Sequence, residues 1–158
     1  MTIAPLVRTV TVKAPPERAF ALFTNHAERW WPASHHIGKQ PFAAIVMEPR
    51  AGGRWFERDA QGLEYPWGEV MAWDPPGRIL LAWRLNRKFD YDPNFSTEVE
   101  LTFEPDGAGT RVTLEHRHLE RFGADAAEFA ASLNGGWTAI LEGFAASTTN
   151  QPQKEPAS

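Results

Sequence analysis

The 158-residue sequence predicts an α+β fold: an antiparallel sheet of about seven strands wrapped around one long C-terminal helix, with two short helices after the first strand. Three observations predict it. Phe129, Leu133, Trp137, Ile140, Leu141 and Phe144 recur at steps of three and four, the period of an amphipathic helix, here over residues 124–146. Residues 41–118 break into short alternating runs cut by turn residues, which is the signature of consecutive antiparallel strands. The helical segments lie outside that run, as in α+β rather than alternating α/β chains.

Taken in order, residues 6–13 alternate and are β-branched, and form the first strand. Pro15-Pro16-Glu17 opens a helix, since proline fits the first turn and an acid suits its positive end. Ala19, Phe20, Leu22 and Phe23 are its buried face. Residues 26–31 form a second short helix stopped by Pro32. Strands follow at 42–48, 54–59, 67–73, 78–85, 96–104 and 110–118. Turns at Pro49-Arg50-Ala51-Gly52-Gly53, Gln61-Gly62, Asp74-Pro75-Pro76-Gly77 and Pro105-Asp106-Gly107 separate most of them. The longer connection at 86–94 is charged and aromatic, as pocket rims often are. Asp125 and Glu128 form a capping box for the long helix. Gly135 and Gly136 interrupt its stripe, each costing about 1 kcal/mol relative to Ala, and signal close backbone approach, a bend or room for a guest. Residues 1–146 are one domain and 147–158 a disordered polar tail.

Composition narrows the function classes. Hydrophobic residues at 42% and charged residues at 23% are ordinary globular values. Sixteen basic against 20 acidic residues give a net charge of -4, which disfavours nucleic acid and anionic membranes. With no cysteine there is no disulfide, thiolate nucleophile or cysteine-ligated zinc. The start lacks a signal-peptide pattern and no apolar run is long enough to insert in a membrane, so the expected setting is cytoplasmic. Seven Trp and ten Phe are the outlying counts, supplying either core or the flat walls of an apolar pocket.

Several segments together resemble the START-like (SRPBCC) superfamily and, within it, the family related to the activator of heat-shock-protein-90 ATPase. They are Ala14-Pro15-Pro16-Glu17-Arg18-Ala19-Phe20, Trp30-Trp31-Pro32, Pro49-Arg50-Ala51-Gly52-Gly53-Arg54, Gly68-Glu69-Val70, Asp74-Pro75-Pro76-Gly77-Arg78 and Gly109-Thr110-Arg111-Val112. The resemblance implies a helix-grip fold. The superfamily spans lipid binding, plant hormone reception and polyketide cyclisation. The eukaryotic chaperone activator carries a separate N-terminal domain with no counterpart in this sequence.

Strand alternation selects the faces. Val99, Leu101 and Phe103 point inward, as do Val112, Leu114 and His116. Ile79, Leu81 and Trp83 pair across their turn with Val70 and Ala72. Arg54, Phe56 and Arg58 form an outer set, which turns Trp55 and Glu57 inward. The inward set thus holds two titratable groups, Glu57 and His116, among Trp55, Trp83, Phe103 and Trp137. A contacting Glu57–His116 pair would orient a ligand or act as acid and base, although a structural hydrogen bond is the blander account. Trp30-Trp31 serves as a core anchor or, with the loop to Gln40, as a pocket lid.

His35-His36 and the His116–His118 spacing lack a third ligand, so no metal is expected. Gly52-Gly53 is a turn rather than a phosphate cradle, no nucleophile elbow occurs, and no cofactor is called for. The leading expectation is a binding domain for a small apolar or aromatic ligand, with Trp31, Trp55, Glu57, Trp83, Phe103, His116 and Trp137 as candidate contacts and a homodimer as a possible assembly. The alternatives are a chaperone-activator-like protein-interaction domain, using Arg54, Arg58, Arg84 and Arg111 on the outer sheet, and a cyclase- or hydrolase-type enzyme using Glu57 and His116.

Overall fold

Short turns make strands that are neighbours in sequence neighbours in the sheet, and here they do so almost throughout. The computed structural model describes residues 3–25 and 27–150. Its elements are β1 (Leu6–Val12), α1 (Pro16–Asn25), β2 (Phe42–Met47), β3 (Arg54–Asp59), β4 (Glu64–Asp74), β5 (Arg78–Trp83), β6 (Thr97–Asp106), β7 (Gly109–Arg117) and α2 (Ala126–Asn150). Single 3-10 turns lie at Ala27–Arg29 and Leu119–Phe122. The seven strands form one antiparallel sheet in the order β1-β7-β6-β5-β4-β3-β2, so only the pairing of first strand with last is non-local. The sheet curls around α2, giving the expected helix-grip α+β architecture.

Two elements differ from expectation at their ends. The second short helix is a 3-10 turn at Ala27–Arg29, and His26 lies outside the described residues. The long helix runs to Asn150, four residues beyond its expected end, while 151–158 lie outside the described residues. Asp125 does not serve as the expected cap: its carboxylate pairs with Arg87 at 2.9 Å, tying the start of α2 to the 86–94 connection.

The inner face of the sheet is apolar and the outer face ionic, as the alternation requires. Ile79, Leu81, Val99, Leu101, Phe103, Val112 and Leu114 are almost wholly buried. On β3, Trp55 and Glu57 are buried inward, while Phe56 lies outside under two guanidinium groups, Arg54 at 4.4 Å and Arg58 at 5.4 Å from its ring centroid. Phe56 is therefore an outer residue covered by cations rather than a core residue. Elsewhere on the outer face Arg117 donates to Glu98 and Glu100, Arg111 to Glu104, and Arg84 to Glu69.

The stripe of α2 buries Leu133, Trp137, Ile140, Leu141 and Phe144. Close backbone approach occurs at Gly143, not at the expected Gly135-Gly136 pair. A Cβ on Gly143 would stand 2.8 Å from the Trp30 carbonyl oxygen, whereas one on Gly135 would meet nothing within 4 Å. Trp30 itself packs on Phe23 and Phe144, with centroids 5.1 and 4.9 Å away. The C-terminal half of α2 is thus fixed to the core. Among the described residues no helix is long and apolar enough to cross a membrane.

Candidate functional site

Five of the seven tryptophans form a closed ring inside the sheet. Trp31, Trp67, Trp55, Trp83 and Trp137 follow one another at centroid separations of 5.4, 5.3, 6.0 and 5.7 Å, and Trp137 returns to Trp31 at 6.3 Å. Each tilted or edge-on pair contributes about 0.5–1.5 kcal/mol beyond its buried area. Beside the ring lies a cavity of about 530 Å³. Trp31, Trp67, Trp83 and Trp137 form its walls, and Leu133 and Ile140 of α2 complete the apolar part. Its exposed lining residues, Ser34, Lys88, Phe89, Asp90 and Ser132, mark the mouth.

The polar end of each wall indole is bonded within the protein. Trp31 Nε1 donates to the His35 carbonyl at 2.8 Å and Trp83 Nε1 to the Leu85 carbonyl at 2.8 Å. Trp67 Nε1 donates to Glu57 at 3.0 Å and Trp137 Nε1 to His116 Nδ1 at 3.1 Å. These four walls therefore offer a guest ring carbon rather than N–H groups. Trp55, behind the wall, is fully buried, and its Nε1 finds no acceptor among the described residues.

Glu57 and His116 do not meet, which corrects the expected pair. Each is fully buried and consumed by its own partners. Glu57 Oε1 accepts from the Ile37 amide at 2.6 Å and from Trp67 Nε1, while Oε2 accepts from the Gly38 amide at 3.0 Å and His36 Nδ1 at 3.1 Å. Its carboxylate thereby clamps the 32–40 loop across one side of the cavity. Gly38 permits this approach: a Cβ there would be 2.8 Å from Glu57 Oε2. His116 Nδ1 accepts from Trp137, so a neutral ring carries its proton on Nε2, which pairs with Thr97 Oγ1 at 2.8 Å. Burial pushes the His116 pKa down to about 3, and the inward-pointing indole N–H also opposes a second proton.

Of the seven candidate contacts, then, Trp31, Trp83 and Trp137 line the cavity. Trp55, Glu57 and His116 stand behind it and hold its walls. Phe103 lies elsewhere, against Phe20 and Phe23 under α1, with centroids 5.3 and 6.0 Å away. Alternation fixed its face correctly but carries no information on position along the strand.

Trp67 was missed because it faces inward through a β-bulge. Trp55 pairs with Gly68 and Phe56 with Pro66, leaving Trp67 as the extra residue, and strict alternation fails there. A second irregularity sets Ala72 opposite Leu80 and Trp73 opposite Ile79, shifting the expected hairpin register. His35, His36 and Ile37 come from a loop without periodicity; the adjacent histidines were the available signal. Gly136 lines the cavity opposite His35, where a Cβ would meet the imidazole at 3.6 Å, so its missing side chain leaves room at the mouth. No group of three or more potential metal ligands occurs among the described residues.

Residues 13–148 match the family model described as Activator of Hsp90 ATPase homolog 1-like protein. Among solved structures, the chain is 36% identical to an anthrahydroquino-γ-pyrone synthase, Txn09, solved as a complex, with 91% of this chain and 96% of that one covered at a TM-score of 0.64. It is 34% identical to CalC, a self-sacrificing resistance protein from Micromonospora echinospora, over 96% and 97% of the two chains at a TM-score of 0.73. A dimeric Aha1 from Colwellia psychrerythraea shares 16% identity over 92% and 96%, with a TM-score of 0.65, and so shares the fold. No curated protein matches the sequence.

Proposed function

The chain belongs to the activator of Hsp90 ATPase homolog 1-like family of the START-like superfamily, and on that premise we propose that it is a cytoplasmic binding protein for a flat, apolar or aromatic small molecule. One observation carries the reading: four indole walls whose N–H groups are all bonded within the protein, beside a cavity of about 530 Å³. Such a surface costs little to desolvate and stacks on ring faces. The cavity volume falls within the range of about 300–1,000 Å³ common for small-molecule sites. Of the two relatives at 34–36% identity, the one named as an anthrahydroquino-γ-pyrone synthase accords with a guest of this kind.

The residues offered for the alternatives are engaged otherwise. The acid–base pair needed for the cyclase or hydrolase reading is replaced by two separate structural clusters. Arg54, Arg58, Arg84 and Arg111, the surface proposed for a chaperone partner, are each ion-paired within the same sheet face.

The test is titration of the native protein with 8-anilinonaphthalene-1-sulfonate, followed by the dye's own emission. Saturable binding to one site is expected. Gly136→Leu fills the mouth opposite His35 and should abolish that binding while the protein remains folded by circular dichroism. Absence of saturable binding to the wild type, or binding unchanged in Gly136→Leu, overturns the reading. Sedimentation of free and dye-bound protein distinguishes monomer from homodimer.

A further inference from the structure

The apolar walls leave the orientation of a guest undetermined, so the polar atoms that do reach the cavity decide which guest fits. Most of the candidates can be set aside. Glu57 is saturated by four donors, and His36 Nδ1 is one of them. Lys88 and Asp90 stand exposed at the mouth with opposite signs, so together they select no net ligand charge. Ser132 is exposed on α2.

His35 is different because it is held on two sides and left open on the third. Its carbonyl accepts from Trp31 Nε1 at 2.8 Å, which ties its backbone to the aromatic wall. Its Nδ1 pairs with Ser34 Oγ at 3.0 Å. The remaining edge, Cδ2–Nε2, faces the empty side of Gly136 across the mouth, at 3.6 and 3.8 Å from where a Cβ would be. Nε2 has no hydrogen-bond partner among the described residues, although its ring is half-buried. Burial lowers the His35 pKa, so the ring is neutral at pH 7.

Resting on the aromatic-cavity reading, we propose that His35 Nε2 is the specificity-determining polar contact of the cavity, pairing with a neutral hydroxyl on an aromatic guest. The chemistry follows from the tautomers. If Ser34 donates to Nδ1, Nε2 carries the proton and donates; if Nδ1 donates to Ser34, Nε2 accepts. A carbonyl serves only the first case and an ammonium only the second. A hydroxyl serves both, and its ring stacks on the indoles behind. A partly buried imidazole edge also rejects the analogue that lacks a partner for it, because its nitrogen then loses water without replacement.

The experiment compares 2-naphthol with 2-methylnaphthalene, two guests of nearly the same shape, by calorimetry and by displacement of bound anilinonaphthalene sulfonate. The wild type should prefer the naphthol by about three- to tenfold, the size of one net hydrogen bond. In His35→Leu the two should bind alike, and His35→Gln, which keeps a donor and an acceptor, should restore part of the preference. If both probes bind the wild type equally, the His35 assignment is overturned while the cavity reading stands. If neither displaces the dye, the cavity reading itself fails and this one with it. Equal binding in the wild type overturns the assignment without any variant, whereas a preference is traced to His35 by its loss in His35→Leu; a preference that persists unchanged in both His35→Leu and His35→Gln overturns it too.

Discussion

Acid should weaken this fold chiefly through His116. Its ring is fully buried, with Nδ1 accepting from Trp137 and Nε2 paired to Thr97. Burial holds its pKa at about 3, against 6.5 when unfolded. Between those values the unfolded chain binds a proton that the folded chain refuses, so stability falls as pH falls. Above 6.5 the contribution is complete, and each unit below it removes about 1.4 kcal/mol until the folded pKa is reached. At about pH 5.0 the loss is about 2 kcal/mol. The carboxylates held low by arginine, Glu48, Glu64 and Glu100, start from 4.5 and leave this window clear. His35 acts in the same direction, so the comparison must be with a variant. His116→Asn keeps an acceptor for Trp137 but cannot titrate. Urea unfolding at pH 7.5, 6.0 and 5.0 should show the wild type losing about 2 kcal/mol more than His116→Asn. Equal losses in the two proteins, or an NMR titration placing His116 near 6.5, would refute the argument.

The glycines of α2 should separate by environment. Gly143→Ala drives a Cβ against the Trp30 carbonyl and should cost about 1–3 kcal/mol, whereas Gly135→Ala meets nothing and should gain up to about 1 kcal/mol; thermal melting of the two variants checks the sign of each. Glu57→Gln places an amide nitrogen among four donors and should cost about 1–3 kcal/mol. The accompanying readout is faster hydrogen exchange at the Ile37 and Gly38 amides, which the carboxylate now holds; unchanged exchange would show that the loop is kept in place by other contacts.

The fold was legible because its determinants are periodic. Six apolar residues at helical spacing located α2, and Val99, Leu101, Phe103, Val112 and Leu114 gave the inner faces of β6 and β7. The site was legible only where period and position coincided, as at Trp83 and Trp137. Trp67 reached the wall through a bulge that breaks the alternation. Glu57 and His116 were correctly turned inward, yet sharing a face does not mean sharing a contact: backbone amides from a loop took one and an indole took the other. Lys88, Asp90 and His35 sit on connections, where sequence spacing places no side chain. Gly136 was flagged by its interruption of the helical stripe, but its role at the mouth depends on a loop about a hundred residues earlier, a separation no local pattern encodes.

The closed circuit of five indoles has an optical consequence. Neighbouring rings 5.3–6.3 Å apart pass excitation among themselves far faster than they emit. Trp30, 5.6 Å from Trp31, joins the circuit as a sixth antenna. Light absorbed anywhere in the set is shared before it is lost, so its emission is depolarised even in a rigid protein. A quencher seated against one ring should therefore lower the emission of its neighbours as well. Intrinsic fluorescence should thus report that the cavity is occupied more readily than which wall is touched.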